Sequence, residues 1–167
     1  MTQGRILLGE HKGVYLLKFV GDVRVNLCVT MDTCLREVLE QPNFCSALVD
    51  LSETDGIDST ALGLLARLSL ETKRRFGAVP TLVSTQGDIT RILETMGFDD
   101  IFNLVNEPLE CPKQLGERPL MECCEEDARQ RVLDAHRTLM ALNDDNRERF
   151  RDLVATLEHV TPISAAS

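Results

Sequence analysis

The sequence predicts an α/β domain: a mixed, mostly parallel sheet with helices packed against it, plus a C-terminal helical extension. Three observations predict it. Apolar runs of strand length alternate with stretches of 3.6-residue periodicity between residues 5 and 105. The first two runs are adjacent and joined by a tight turn, and the chain beyond 105 becomes first Pro-rich and then helical. Strands alternating with helices imply parallel pairing through right-handed crossovers, and the opening hairpin adds one antiparallel strand.

Each element follows from its residues. Arg5 to Glu10 and Val14 to Val20 are apolar-rich, and His11-Lys12-Gly13 between them reads as a hairpin turn. After Gly21-Asp22 the period changes: Leu27, Met31, Cys34, Leu35, Val38 and Leu39 recur at helical spacing, predicting a helix near 28–40 that Gln41-Pro42-Asn43 ends. Phe44 to Leu51 is short and apolar, as an interior strand is. Ser52 to Ile57 reads as a polar turn around Gly56. Asp58-Ser59-Thr60 then opens a helix near 59–75, with Leu62, Leu65, Ala66 and Ser69 on one face. Val79 to Ser84 is a further strand, Ile89 to Met96 a short helix between Gly87-Asp88 and Gly97, and Ile101 to Val105 a last strand.

Pro108, Pro112, Gly116 and Pro119 break periodic structure and mark a linker. From Glu122 to Val160 the pattern is helical, with an acidic start at Glu125-Glu126-Asp127 suited to the positive end of a helix dipole. Val132, Leu139, Asn146, Leu153 and Val160 lie seven apart. Two arrangements fit: a helix, or a helical hairpin broken near Asn143-Asp144-Asp145, docked on its own domain, or a coiled coil in which Asn146 sets register. The seam of Leu139, Leu142, Phe150, Leu153 and Leu157 is expected to be buried.

Composition narrows the function. A net charge of −9 repels phosphate backbones and anionic lipid, which argues against nucleic acid and membrane surfaces as partners. No apolar stretch approaches the roughly 20 residues of a membrane span, and the N-terminus lacks a signal-peptide pattern, so a cytoplasmic location is expected. Of the cysteines, Cys28, Cys34, Cys45, Cys111, Cys123 and Cys124, none forms a CxxC pair or a zinc-spaced cluster with histidine. They read as free thiols filling small apolar spaces, with Cys123–Cys124 the place for a redox or metal role. No cofactor is expected.

Asp58-Ser59-Thr60 is where chemistry could reside. N-capping alone accounts for these residue types, since all three accept bonds from the free N–H groups of a first turn. A helix start is also a favourable place for a modifiable hydroxyl, because phosphorylation adds nearly two negative charges that the free N–H groups and dipole stabilise. Neighbouring Asp55 and Asp58 oppose that charge. Catalysis would need a base for Ser59, and His11, His136 and His159 belong to no recognisable triad; His136 reads as a surface or packing residue. There is no Gly-x-Ser-x-Gly elbow, Walker loop or dinucleotide fingerprint, so the chain is read as a non-enzyme.

The segment VDLSETDGIDSTALGLLA, Val49 to Ala66, resembles the signature of the STAS family, whose soluble bacterial members include the anti-anti-sigma factors. In that family an apolar strand ending in Asp-Leu leads to an Asp-Ser-Ser/Thr-Gly-Leu-Gly helix start. The hairpin, the Gly21-Asp22 turn and the element order match as well. The resemblance covers roughly residues 5–105 and implies a STAS domain over 1–105; it says nothing of the rest, which the residues themselves divide into a linker at 106–121, a helical extension at 122–160 and a disordered tail at 161–167. It implies that Asp58 is the motif's acidic residue, Ser59 the phosphorylated serine and Thr60 a minor acceptor. It implies a partner surface of Asp22, Arg24, Asp55, Gly56, Ile57, Asp58 and Ser59. The implied role is partner switching in transcription: the unmodified protein binds an anti-sigma factor or serine kinase, phosphorylation releases it, and a PP2C-type phosphatase resets it. Ala61 stands in place of the usual glycine, and Arg24 where the family often has an acidic or polar residue. The alternative is a constitutive STAS subunit or scaffold of a larger complex, such as a phospholipid-transport ABC system.

Overall fold

In the computed structural model, residues 3–108, 114–122 and 124–159 are described. They form β1 (Arg5–His11), β2 (Val14–Val23), α1 (Cys28–Leu39), β3 (Ser46–Ile57), α2 (Ser59–Phe76), β4 (Thr81–Val83), α3 (Gly87–Thr95), β5 (Asn103–Val105), β6 (Gly116–Glu117), α4 (Glu125–Met140) and α5 (Asp144–His159). One sheet carries the strands in the order β5-β4-β3-β2-β1-β6. The pairs β2–β3, β3–β4 and β4–β5 are parallel, and β1 is antiparallel to both its neighbours. This is the mixed, mostly parallel sheet that the periodicity predicts.

The hairpin turn needs two left-handed residues in succession. Lys12 (φ 51°) and Gly13 (φ 84°) supply them, so the β1–β2 loop takes the twist that matches its strands. Residues Leu8, Leu17, Val49, Leu82 and Leu104 lie in register across the sheet and belong to one apolar cluster. The helices close over that face: Met31, Cys34 and Val38 of α1, Leu62, Leu65 and Ala66 of α2, and Leu93 of α3 are all buried. Gly77 (φ 68°) ends α2 in the left-handed conformation, with three cations in its last turn; Gly97 (φ 86°) follows α3 in the same conformation.

Two expectations are corrected. Ser52 to Ile57 is not a turn: β3 runs straight through it to Ile57, and its polar half pairs with β2, Val20 opposite Glu53 and Val23 opposite Ile57, across two register shifts. Each shift places an extra residue of the 12-residue β3 against β2, as a β-bulge does. The linker is not devoid of regular structure either, since β6 adds a short edge strand to β1 and Arg118 donates its backbone N–H to the Ile6 carbonyl (2.9 Å).

The C-terminal segment is a helical hairpin on the domain's helical layer. Leu133, Ala135 and Leu139 of α4 and Phe150 and Val154 of α5 are buried. Leu153 is 42% exposed, which corrects the expected seam. Within α5 the buried series is Asn146, Phe150 and Val154, four apart, and Leu153, seven on from Asn146, falls to the side of that stripe. Asn146 is fully buried, and its amide donates to the Met96 carbonyl (2.9 Å) and the Leu139 carbonyl (3.0 Å). It joins α5 to α3 and α4 within one chain and does not set a coiled-coil register. Val160 and residues 161–167 lie outside the described residues.

Candidate functional site

The site forms where the polar end of β3 meets the first turn of α2 and the loop after β2. Asp58 holds these together. Its extended backbone (φ −94°) makes it the N-cap of α2, and its Oδ1 accepts from the Ala61 N–H (2.9 Å). Its Oδ2 accepts from the Val25 N–H (2.8 Å), so one carboxylate clamps the helix start to the loop that leads into α1.

Beside it, Asp22 accepts a short bond from the Arg24 guanidinium (2.6 Å). That hydrogen bond, with the charge of Asp22 behind it, raises the Arg24 pKa above its ordinary value. The other oxygen of Asp22, Oδ1, is buried and unpartnered. Gly56 lies opposite Asp22 in the β2–β3 register, and a Cβ there would stand 2.9 Å from that oxygen. Glycine is therefore what lets the Asp22–Arg24 pair lie flat across the strand.

Ser59 is the first residue of α2 and is half-buried. Its hydroxyl lies 2.7 Å from Nε2 of His136 in α4, while Nδ1 of the same ring lies 2.6 Å from the Val132 carbonyl. A carbonyl only accepts, so Nδ1 carries a proton, and in the neutral imidazole the Ser59 O–H donates to Nε2. His136 is 2% exposed and meets Phe150 edge-on (centroids 5.1 Å apart). Of the two readings of His136, surface or packing, the structure shows packing, and it adds a contact with Ser59 that the sequence did not indicate. The ring is nevertheless oriented by a carbonyl and not by a carboxylate, and its burial against the hydroxyl leaves no space for a substrate between them.

The neighbouring groups extend the contact. Gly63, one turn along α2, faces α4 so closely that a methyl group there would run into the backbone carbonyl of Ala135. Asp32 of α1, 3% exposed, forms ion pairs with Arg36 (3.1 Å) and with Arg131 of α4 (3.3 Å). The structure thus brings Asp22, Arg24, Gly56, Asp58 and Ser59 to one end of the sheet. Ile57 is half-buried against the core, Asp55 is exposed, and Thr60 is 5% exposed, turned inward. Sequence reasoning missed Ala135, His136 and Arg131. A mid-helix glycine, Gly63, was the available signal that another backbone crosses there.

The thiols divide by position. Cys28 and Cys34 are buried, and burial pushes the Cys34 pKa up. Cys45 and Cys124 are exposed, so they are not the small core residues expected; Cys124 caps α4, accepting from the Asp127 N–H (3.4 Å). Cys111 and Cys123 lie outside the described residues. Among the described residues, no cluster of three or more His, Cys, Asp and Glu could hold a metal, and no helix is long and apolar enough to cross a membrane.

This fold, with its polar strand end feeding an Asp-Ser-Thr helix start, defines a class. Residues 5–110 match the STAS domain family, and the chain belongs to it. It is similar in structure to an anti-sigma factor antagonist from Mycobacterium paratuberculosis, at 18% identity and a TM-score of 0.55, over 78% of this chain and 94% of that one. Two structures of SpoIIAA also match, each at 12% identity and a TM-score of 0.49. One is the unphosphorylated anti-sigma factor antagonist, over 77% of this chain and 96% of that one. The other is the phosphorylated form, from Bacillus, over 76% and 98%. No curated protein sequence matches.

Proposed function

We propose that the chain is an anti-sigma factor antagonist working as a phosphorylation-controlled partner switch, with Ser59 as the phosphoacceptor. Unmodified, it binds an anti-sigma factor or its kinase through the end of the sheet that carries Asp22, Arg24, Asp55, Gly56, Ile57, Asp58 and Ser59. Phosphorylated, it releases that partner, and a PP2C-type phosphatase restores it. The observation that carries this reading is the placement of Ser59 as the first residue of a long helix in a STAS domain, its cap already supplied by Asp58. A phosphate on its hydroxyl meets the positive end of the helix dipole, while Asp58 and Asp22 add repulsion at the surface. Thr60 is buried, which favours Ser59 over it.

Affinity purification of wild type beside Ser59→Ala and Ser59→Asp, with phosphopeptide mapping of the wild type, tests the reading. Ser59→Ala should retain the partner, and Ser59→Asp should weaken its capture, incompletely because one carboxylate carries less charge than a phosphate. Phosphate found on Ser52 or Ser84, with Ser59 clean, would sink the assignment. One observation favours the second reading, a constitutive STAS subunit: the Ser59 hydroxyl is already engaged by His136. Stable co-purification with a membrane ATPase, insensitive to both substitutions, would decide for it.

A further inference from the structure

The face of α2 that presents Ser59 is already occupied by α4. Ser59 donates to His136, Gly63 lies under the Ala135 backbone, and Asp32 beside them takes Arg131. The first two contacts lie along the α2–α4 crossing and the third ties α4 to the neighbouring α1, and each uses a different chemistry: a hydroxyl to an imidazole, backbone to a glycine, a guanidinium to a buried carboxylate. Gly63 is the specific feature. A glycine inside an exposed helix costs stability relative to alanine, and here its missing Cβ is what admits the α4 backbone. We infer that the α2 face is a helix-docking surface whose resting occupant is the chain's own α4–α5 hairpin, and that a kinase or partner reaches Ser59 only after that hairpin lifts away.

This inference rests on the proposed role of Ser59 for its consequence, but the docking itself is independent of it. A kinase must receive the Ser59 hydroxyl in its own active site, and that hydroxyl now faces a ring that is 2% exposed. A partner helix docking in place of α4 must offer a small residue over Gly63, a cation to Asp32 and a hydrogen-bonding group to Ser59. The hairpin therefore competes with the partner as a ligand held in cis.

Two substitutions in the full chain test this from opposite sides. Gly63→Ala adds a methyl group directed at the Ala135 carbonyl while improving the intrinsic helicity of α2. Ala135→Leu widens the same crossing from the tail and leaves the STAS domain's own residues untouched. Hydrogen exchange would be followed in α4, in the first turn of α2 and in β2 and β3. A Ser59→Cys background would report the rate at which a small alkylating reagent adds at position 59, by peptide mass. Both variants should speed exchange in α4 and alkylation at position 59 about tenfold or more, with β2 and β3 unchanged. If Gly63→Ala also loosens the strands, Ala135→Leu carries the test. Unchanged exchange and alkylation in Ala135→Leu would overturn the inference. The Ser59 peptide from cells separates the two readings: phosphate there without any effect of the variants keeps the switch and ends the lid, while a variant-dependent rate with Ser59 never phosphorylated keeps the lid and ends the switch.

Discussion

At the scale of single residues, the site depends on what is small as much as on what is charged. Gly56 leaves room for the Asp22–Arg24 pair, and any side chain there collides with an oxygen that already lacks a partner. Gly56→Arg should displace that pair and weaken partner binding about tenfold or more, because truncating or blocking the centre of an interface costs more than changing its rim. Thermal melting should show the sheet intact, and titration against the captured partner should show the loss; unchanged affinity would move the docking surface elsewhere. The acidic cap and the hydroxyl were legible in the sequence, since each is a local choice made by adjacent residues, whereas Gly56 reads there as a turn and stands in the structure within β3. His136 was not. Its partner lies 77 positions away, and nothing in a helix's own pattern distinguishes an imidazole facing solvent from one facing a serine.

At the scale of elements, 3.6-residue periodicity located α1, α2 and α3 closely because each buries one stripe against the sheet. The same reasoning shortened β3, since the polar Ser52 to Ile57 half has no apolar alternation and is held by pairing with β2. It also misjudged the tail, where the buried stripe of α5 steps by four, Asn146, Phe150 and Val154, and leaves Leu153 outside it. The residue that fixes the break between α4 and α5 is Asn146. Its amide donates to two carbonyls at full burial; in Asn146→Ala the Met96 carbonyl keeps the Asn143 amide (3.4 Å) and the Leu139 carbonyl keeps the Leu142 N–H (3.1 Å), so the expected loss is that of the two side-chain bonds, about 1–2 kcal/mol. Urea unfolding monitored by circular dichroism measures it. A loss within about 0.5 kcal/mol, the range of ordinary surface substitutions, would mean the hairpin is held by its apolar face alone.

At the scale of the whole molecule, the described tail residues behave as part of the fold and not as an appendage. Leu133, Leu139, Phe150 and Val154 are each buried, and such side chains contribute about 1.5–3 kcal/mol apiece when removed from water. A chain ending at Glu122 should therefore unfold at lower urea concentration and with a smaller m-value, since m follows the surface exposed on unfolding. An equal midpoint would show that the hairpin rests on the domain without stabilising it. The sequence marked this region as helical and apolar on one side, yet could not choose between docking and self-association, because both bury the same stripe.

The short strand β6 has a consequence of its own. It stitches the chain to the edge of β1, and the Met121 N–H then donates to the Thr30 hydroxyl (2.8 Å) only a few residues before α4 begins. A hairpin that swings off α2 therefore stays on a short leash, and its return is an intramolecular event with an effective concentration on the order of millimolar. Any protein arriving from solution has to outcompete a ligand present at that local strength, whatever the cell's dilution. The threshold at which the molecule opens is then set by leash length and by the fit of one helix, and it stays the same however many copies of the chain the cell contains.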